Sequence, residues 1–151
     1  SMPGVSKIVE VDGKKYLDGG MSDSIPVKKA IELGYDKIII VTTRPIEYRK
    51  RNSKLKTLAR IYRKYPNFVI TINNRNSNYN KTVEEIIKLE EQKKIMVIRP
   101  SRRVPIKRIE KNPARIQEQY DLGVQDCTEK MEEIKKYLKK KEMMKQWKSF
   151  M

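Results

Sequence analysis

The residues with the clearest capacity for chemistry are Asp18, Gly19 and Gly20, within the stretch "KKYLDGGMSDSIPVKKAIELG". The pattern predicts a carboxylate at the carboxyl end of a short strand, the edge at which open α/β sheets bind ligands. Asp18 could be a catalytic carboxylate there, and two glycines would let a substrate or a partner loop approach the backbone closely. The alternative is structural, because Asp and Gly are common turn residues. Asp18 would then accept backbone N–H groups while the glycines adopt φ > 0.

A second carboxylate and two residues further along complete the set of candidates. Asp23 lies three residues before Pro26, so helix capping explains it well. Arg75 and Tyr79 would share one face if their segment is helical. A buried Arg needs an acidic or carbonyl partner, so a role in tying elements together is favoured over a substrate contact.

The elements around Asp18 predict a βαβ unit. The two strands before it meet at Asp12-Gly13, a strong hairpin-turn signal. Pro26 opens a short helix that Gly34 ends. A continuous apolar run then indicates a strand buried on both faces, as in a parallel sheet. The predicted strands cover residues 7–11, 15–17, 37–41 and 95–98.

The second half of the chain is predicted with one ambiguity. Residues 67–91 contain the strand-like "NFVITIN" but also a helical spacing of apolar residues, and Thr82 with Glu85 could restart a helix by a capping box. Residues 99–111 are predicted to form a basic loop. Asn112-Pro113 is expected to open a short helix, and a last helix is expected over 124–141.

Composition limits the function classes. The chain has 151 residues, a net charge of +16, no histidine and one cysteine, Cys127, which we expect in a helix and at least half-buried. The histidine and cysteine counts argue against a disulfide framework and a structural zinc site, and the lack of a run of about 18 apolar residues argues against a membrane span. We expect a cytoplasmic protein. The charge is concentrated in two blocks. Residues 44–64 contain nine basic side chains and one acidic side chain, and residues 93–111 contain eight basic side chains and one acidic side chain.

The order of these features resembles the patatin-like phospholipases, in particular their bacterial predicted esterases. "YLDGGMSDSIPVKKAIELGYDKIIIVTTR" is similar to the Asp-Gly-Gly segment of that family. "NRNSNYNKTVEEIIKLEEQKKIMVIRPS" is similar to its Arg-x-x-x-Tyr-Asn helix and following strand, and "YDLGVQD" to the start of its C-terminal helix. The resemblance covers about residues 1–140.

The resemblance implies a serine–aspartate dyad that hydrolyses lipid or small esters without a cofactor or metal. Asp18 would be the base that takes the serine proton, Gly19 and Gly20 its motif glycines, and Arg75 and Tyr79 structural or supporting residues. It also implies part of a three-layer α/β fold, with a mostly parallel sheet flanked by helices. The family's G-x-S-x-G nucleophile motif and its glycine-rich oxyanion loop are absent from this sequence.

We therefore expect residues 1–140 to be the C-terminal part of a hydrolase domain, inactive alone, and residues 141–151 to be a basic, flexible tail. The expected partners are the N-terminal half of the same domain, the ester substrate and an anionic membrane surface, to which the protein would be peripheral. The alternative function is a basic α/β module that binds nucleic acid or another polyanion, which the net charge favours and the low aromatic content disfavours. A third interpretation is a fragment with no activity of its own.

Overall fold

The computed structural model describes residues 2–51, 56–107 and 109–139, and it is a mixed α/β structure with two small sheets. The chain divides into two compact units. Unit 1 takes its described residues from Ser1–Pro26 and Arg49–Ile86, and unit 2 from Val27–Tyr48 and Ile87–Met151. The elements are β1 (Val9–Val11), β2 (Lys14–Tyr16), a 3-10 turn (Gly19–Met21), α1 (Val27–Glu32), β3 (Ile39–Val41), α2 (Lys56–Ile61), α3 (Pro66–Glu91), β4 (Met96–Ile98) and α4 (Pro113–Glu129).

The hairpin of unit 1 forms as the sequence predicts. β1 and β2 pair antiparallel, with Val9 opposite Tyr16 and Val11 opposite Lys14. Asp12 and Gly13 have φ of 50° and 72°, the two positive values that a type I′ turn requires.

The core of unit 1 is built around Met21, Tyr62 and Ile72. Leu58 of α2 and Phe68 of α3 pack against these residues, and the rings of Tyr62 and Phe68 meet edge to face at 5.0 Å. The cluster thus joins the turn after Asp18 to α2 and to the first part of α3.

Residues 67–91 belong to one continuous helix, α3, which resolves the ambiguity of this segment. The helix does not restart at Thr82. Its inward face carries Ile72, Arg75, Tyr79 and Ile86, all buried or half-buried, at the spacing that a helix requires. The apolar period therefore prevails over the strand preference of the β-branched residues near its start.

Unit 2 contains the parallel pair, in which Ile39 lies opposite Met96 and Val41 opposite Ile98. β4 is well covered, and Val97 is fully buried. The prediction that β3 is buried on both faces is wrong for this chain, because Ile39 is 38% exposed and Val41 70% exposed.

The predicted βαβ unit is also wrong. β2 pairs with β1 and β3 pairs with β4, so the two strands that flank α1 belong to different two-stranded sheets. Sequence order alone cannot choose between these pairings, since strand pairing is decided by contacts distant in the chain.

The C-terminal helices follow the predicted start signal but end differently. Asn112 caps α4, accepting the Ala114 N–H at 3.0 Å with its side chain, and Pro113 is the first helical residue. α4 ends at Glu129 with Lys130 as its C-cap, and residues 131–139 form a further helical stretch. The single helix predicted over 124–141 is therefore wrong, and the predicted tail 141–151 lies outside the described residues.

None of the helices in the described part of the chain combines the length and the apolar character needed to cross a membrane.

Candidate functional site

Asp18 lies directly before the 3-10 turn of unit 1, two residues after β2 ends. Its Oδ1 accepts the Gly20 N–H at 2.9 Å, and its backbone carbonyl accepts the Met21 N–H at 3.1 Å. Among the residues that the structure describes, Oδ2 has no hydrogen-bond partner, and the side chain is exposed. One carboxylate oxygen is thus fixed by the turn while the other is available to accept a proton.

The two glycines after Asp18 do not have the backbone conformation expected of them. Neither Gly19 nor Gly20 has positive φ, so that expectation is wrong. A Cβ at position 19 would meet nothing within 4 Å in the described structure. A Cβ at position 20 would lie 3.3 Å from Oδ1 of Asp18 and would crowd the carboxylate. The space beside Gly19 is open, and Gly20 lets the carboxylate keep its position.

The turn is fixed by bonds to its carbonyl groups. Ser22 Oγ donates to Gly19 O at 2.9 Å, and Ser24 Oγ donates to Gly20 O at 2.9 Å. Arg75 Nε of α3 donates to the same Gly20 carbonyl at 3.2 Å. Met21 is also buried in the core of unit 1. The backbone next to Asp18 is therefore fixed both by these hydrogen bonds and by packing.

Arg75 is half-buried, and the partner that such a side chain needs is the carbonyl of Gly20. The structure therefore brings Arg75 to the Asp18 turn through the backbone rather than through the carboxylate. The contact spans 55 positions in sequence.

Tyr79 and its neighbour Asn80 hold a different segment. Lys50 Nζ lies 3.8 Å from the centroid of the Tyr79 ring, a cation–π contact. Asn80 Oδ1 accepts the Lys50 N–H at 2.8 Å, and its Nδ2 donates to the Lys50 carbonyl at 2.9 Å. Asn76 Nδ2 donates to the Arg51 carbonyl at 2.9 Å.

The two asparagine contacts are features of α3 that the sequence interpretation did not assign. Asn80 was recognisable within the Arg-x-x-x-Tyr-Asn pattern, but nothing local to it indicates a partner 30 positions away. Together they explain why an asparagine-rich stretch is compatible with a long helix, because the side chains bind other backbone groups instead of their own.

Asp23 bonds within its own turn, and the helix-capping role predicted for it is not shown. Its Oδ1 accepts the Ile25 N–H at 3.2 Å, just before α1 begins at Val27. Both carboxylates of the segment therefore accept one backbone N–H, and only Asp18 stands next to the open surface at Gly19.

The two basic blocks differ in how their charges are used. In the second block, Arg99 pairs with Glu90, and Arg102 Nη1 lies 2.7 Å from Glu118 Oε1. In the first block, Lys56, Arg60, Arg63 and Lys64 make no ion pair with any carboxylate that the structure describes.

Backbone bonds also tie the second block to α4. The buried side chain of Asp126 accepts the Ser101 N–H at 3.0 Å. Glu110 accepts N–H groups from Asn112, Lys107 and Lys111 at 3.0 to 3.1 Å. These bonds, led by that from Asn112 and supported by the nearby Arg115 charge, lower the pKa of Glu110 to about 2. Neither Asp126 nor Glu110 was predicted from the sequence as a functional residue.

No group of three or more His, Cys, Asp or Glu side chains within the described ranges is placed to hold a metal ion. Cys127 is half-buried on α4, as its position predicts. It lines a groove of about 460 Å³ along that helix, together with Tyr120, Gly123 and Val124.

Residues 65–139 match the model of a domain of unknown function (DUF6363). The matched range contains 75 of the 151 residues, just under half, and includes α3, β4 and α4. It includes Arg75 and Asn80 and begins after the Asp18 turn. A search of curated proteins found no match to the chain.

Proposed function

We propose that this chain is the base-bearing part of a patatin-like acyl-ester hydrolase and that Asp18 accepts the proton of a catalytic serine. The observation that supports the proposal is the arrangement at Asp18. Oδ1 is fixed by the Gly20 N–H, while Oδ2 of the exposed side chain has no partner among the described residues, and a Cβ at the neighbouring Gly19 would meet open space. Asp23 likewise accepts one backbone N–H, so the feature that distinguishes Asp18 is the open space beside Gly19.

The proposed reaction uses a serine that this chain does not supply. Its Oγ attacks the ester carbonyl carbon while its proton passes to Oδ2 of Asp18, and the tetrahedral intermediate collapses to an acyl-serine as Asp18 protonates the departing alcohol. A water molecule then gives its proton to Asp18 and attacks the acyl carbon. Release of the acid returns the proton to the serine, so that Asp18 ends the cycle ionised.

The oxyanion donors of this reaction also lie outside the chain, because its sequence lacks the family's glycine-rich loop. The role of Arg75 and Ser24 in the proposal is positioning. Both bind the Gly20 carbonyl, and this contact keeps the Gly20 N–H directed at Asp18.

The proposal includes a partial three-layer fold. A parallel pair of strands is an unusual structure on its own, since parallel sheets are normally covered on both faces by further elements. β3 and β4 form such a pair, and the exposed Ile39 and Val41 provide apolar surface that further strands and helices would cover.

The first experiment is to read the coding sequence upstream of residue 1 and to assay the 151-residue chain with p-nitrophenyl esters. We expect a G-x-S-x-G motif upstream and no turnover by the chain itself. Turnover that disappears in Ser6→Ala would place the nucleophile within this chain and contradict the proposed arrangement.

The second experiment compares Asp18→Asn with Asp23→Asn in the polypeptide that includes the upstream serine. The amide oxygen that Asp18→Asn introduces can still accept the Gly20 N–H, so the fold should remain while ester turnover falls about 10²- to 10⁴-fold, the usual contribution of a general base. Asp23→Asn should leave turnover within a few-fold of wild type. Near-normal activity of folded Asp18→Asn would show that this carboxylate is only a turn residue.

A further inference from the structure

The surface that carries a further inference is the outward side of α2 and its following turn, which we call the α2 basic face: Lys56, Arg60, Arg63 and Lys64. All four side chains are exposed. Lys56 and Arg60 are one helical turn apart, and Arg63 follows at the next. The opposite side of the same element, with Leu58 and Tyr62, packs into the core of unit 1.

The charges of the α2 basic face are not used within the protein as the structure describes it. None of its four cations pairs with a described carboxylate, whereas Arg99 and Arg102 of the other basic block are both paired. Like charges placed together repel one another and weaken folding unless a counter-charge compensates. The α2 basic face is therefore suited to an external polyanion.

We propose that the α2 basic face binds the surface of an anionic phospholipid bilayer. Each Lys or Arg held near such a surface improves partitioning about fivefold, so four can give an effect of roughly several hundredfold. Ile61 lies beside these cations and is 61% exposed, which adds aliphatic surface that a headgroup region accommodates. The single aromatic residue of positions 56–64, Tyr62, is buried and cannot stack on bases as in single-strand binders.

The choice of a lipid surface over other polyanions rests on the proposed function, because a lipid hydrolase must reach esters in a bilayer. The core of unit 1 provides a physical connection between the two. Met21 of the Asp18 turn packs in the same cluster as Tyr62 and Leu58, so α2 and the turn are parts of one packed unit. Binding through α2 would then fix the orientation of Asp18 relative to the membrane.

The test measures co-sedimentation of the 151-residue chain with vesicles of ether-linked phosphatidylcholine, with or without ether-linked phosphatidylglycerol. Ether lipids cannot be hydrolysed, so binding is read independently of catalysis. We expect binding only with phosphatidylglycerol and weakening at high salt, because exposed charges are screened. Asp18→Asn should bind as wild type does, so a failed hydrolase proposal and a failed binding proposal give different results.

The decisive variant is Lys56→Gln/Arg60→Gln/Arg63→Gln, for which we expect about hundredfold weaker partitioning. The matched control is Lys81→Gln/Lys88→Gln/Lys111→Gln, which removes the same charge from exposed positions elsewhere. It should bind within about fivefold of wild type. Circular dichroism spectra that match wild type show that both variants are folded.

Three results would overturn the proposal. Equal losses in the two triple variants would mean that net charge alone drives binding. Full binding by the α2 variant would mean that another surface reaches the bilayer. Tighter binding of wild type to duplex or single-stranded DNA than to the anionic vesicles, with loss in the α2 variant, would assign the face to nucleic acid.

Discussion

The contact between Asn80 and the backbone of Lys50 gives the sharpest prediction about how the chain is held together. The asparagine side chain accepts the Lys50 N–H at 2.8 Å and donates to the Lys50 carbonyl at 2.9 Å, as a neighbouring strand would. Both bonds are partly buried. Asn80→Ala removes both of these hydrogen bonds to the Lys50 backbone at once.

The expected cost follows from ordinary hydrogen-bond energies. Each bond contributes about 1 kcal/mol net, so the pair contributes about 2 kcal/mol. Ala favours the helix over Asn by about 0.5 kcal/mol, which reduces the net loss to about 1.5 kcal/mol. The matched control is Asn78→Ala on the exposed side of α3, where the same helix gain applies and no side-chain hydrogen bond to a described residue is lost. The difference between the two variants is therefore about 2 kcal/mol, or roughly 30-fold.

Amide hydrogen exchange measures this difference at the residue concerned. The Lys50 amide should exchange about 30-fold faster in Asn80→Ala than in Asn78→Ala, and urea unfolding should show Asn80→Ala as the less stable variant. Equal exchange at Lys50 in the two variants would refute the argument, because the contact would then contribute nothing to protecting that segment.

Three further predictions concern unit 2. Because the pKa of Glu110 is lowered to about 2 from 4.5, its ionised form stabilises the fold above about pH 4.5, and this contribution is lost as pH falls towards 2. Glu110→Gln should lower the melting temperature at pH 7. The difference in melting temperature between wild type and variant should narrow below about pH 4.5, and a difference that stays constant with pH would contradict the prediction. Tyr137→Phe removes the hydroxyl that accepts the Ile38 N–H at 3.1 Å and should cost about 1 to 2 kcal/mol in thermal unfolding, whereas Tyr120→Phe, at an exposed site, should cost almost nothing. Val41→Lys places a charge on the exposed strand β3 and should therefore reduce self-association. Light scattering at increasing protein concentration measures this. A wild-type chain that stays monomeric at high concentration would argue against the prediction.

The sequence by itself determined the features that a few neighbouring residues control. Asp12-Gly13 specifies the hairpin because both residues tolerate positive φ, and Asn112-Pro113 specifies the start of α4 by capping chemistry. The apolar run at 37–41 predicts a strand, whichever other strand it pairs with. The helical face that joins Arg75 to Tyr79 was likewise readable from spacing, even though the segment also favoured a strand.

The tertiary structure decided everything that depends on partners far apart in the chain. It placed β2 and β3 in different sheets, and it gave Arg75 a carbonyl partner 55 positions away at Gly20. The two basic blocks carry similar net charge in sequence, yet Arg99 and Arg102 of the second form ion pairs while the four cations of the α2 basic face pair with no described carboxylate. Local preferences act over one or two turns of chain, whereas pairing and charge compensation depend on which surfaces meet after the chain has folded.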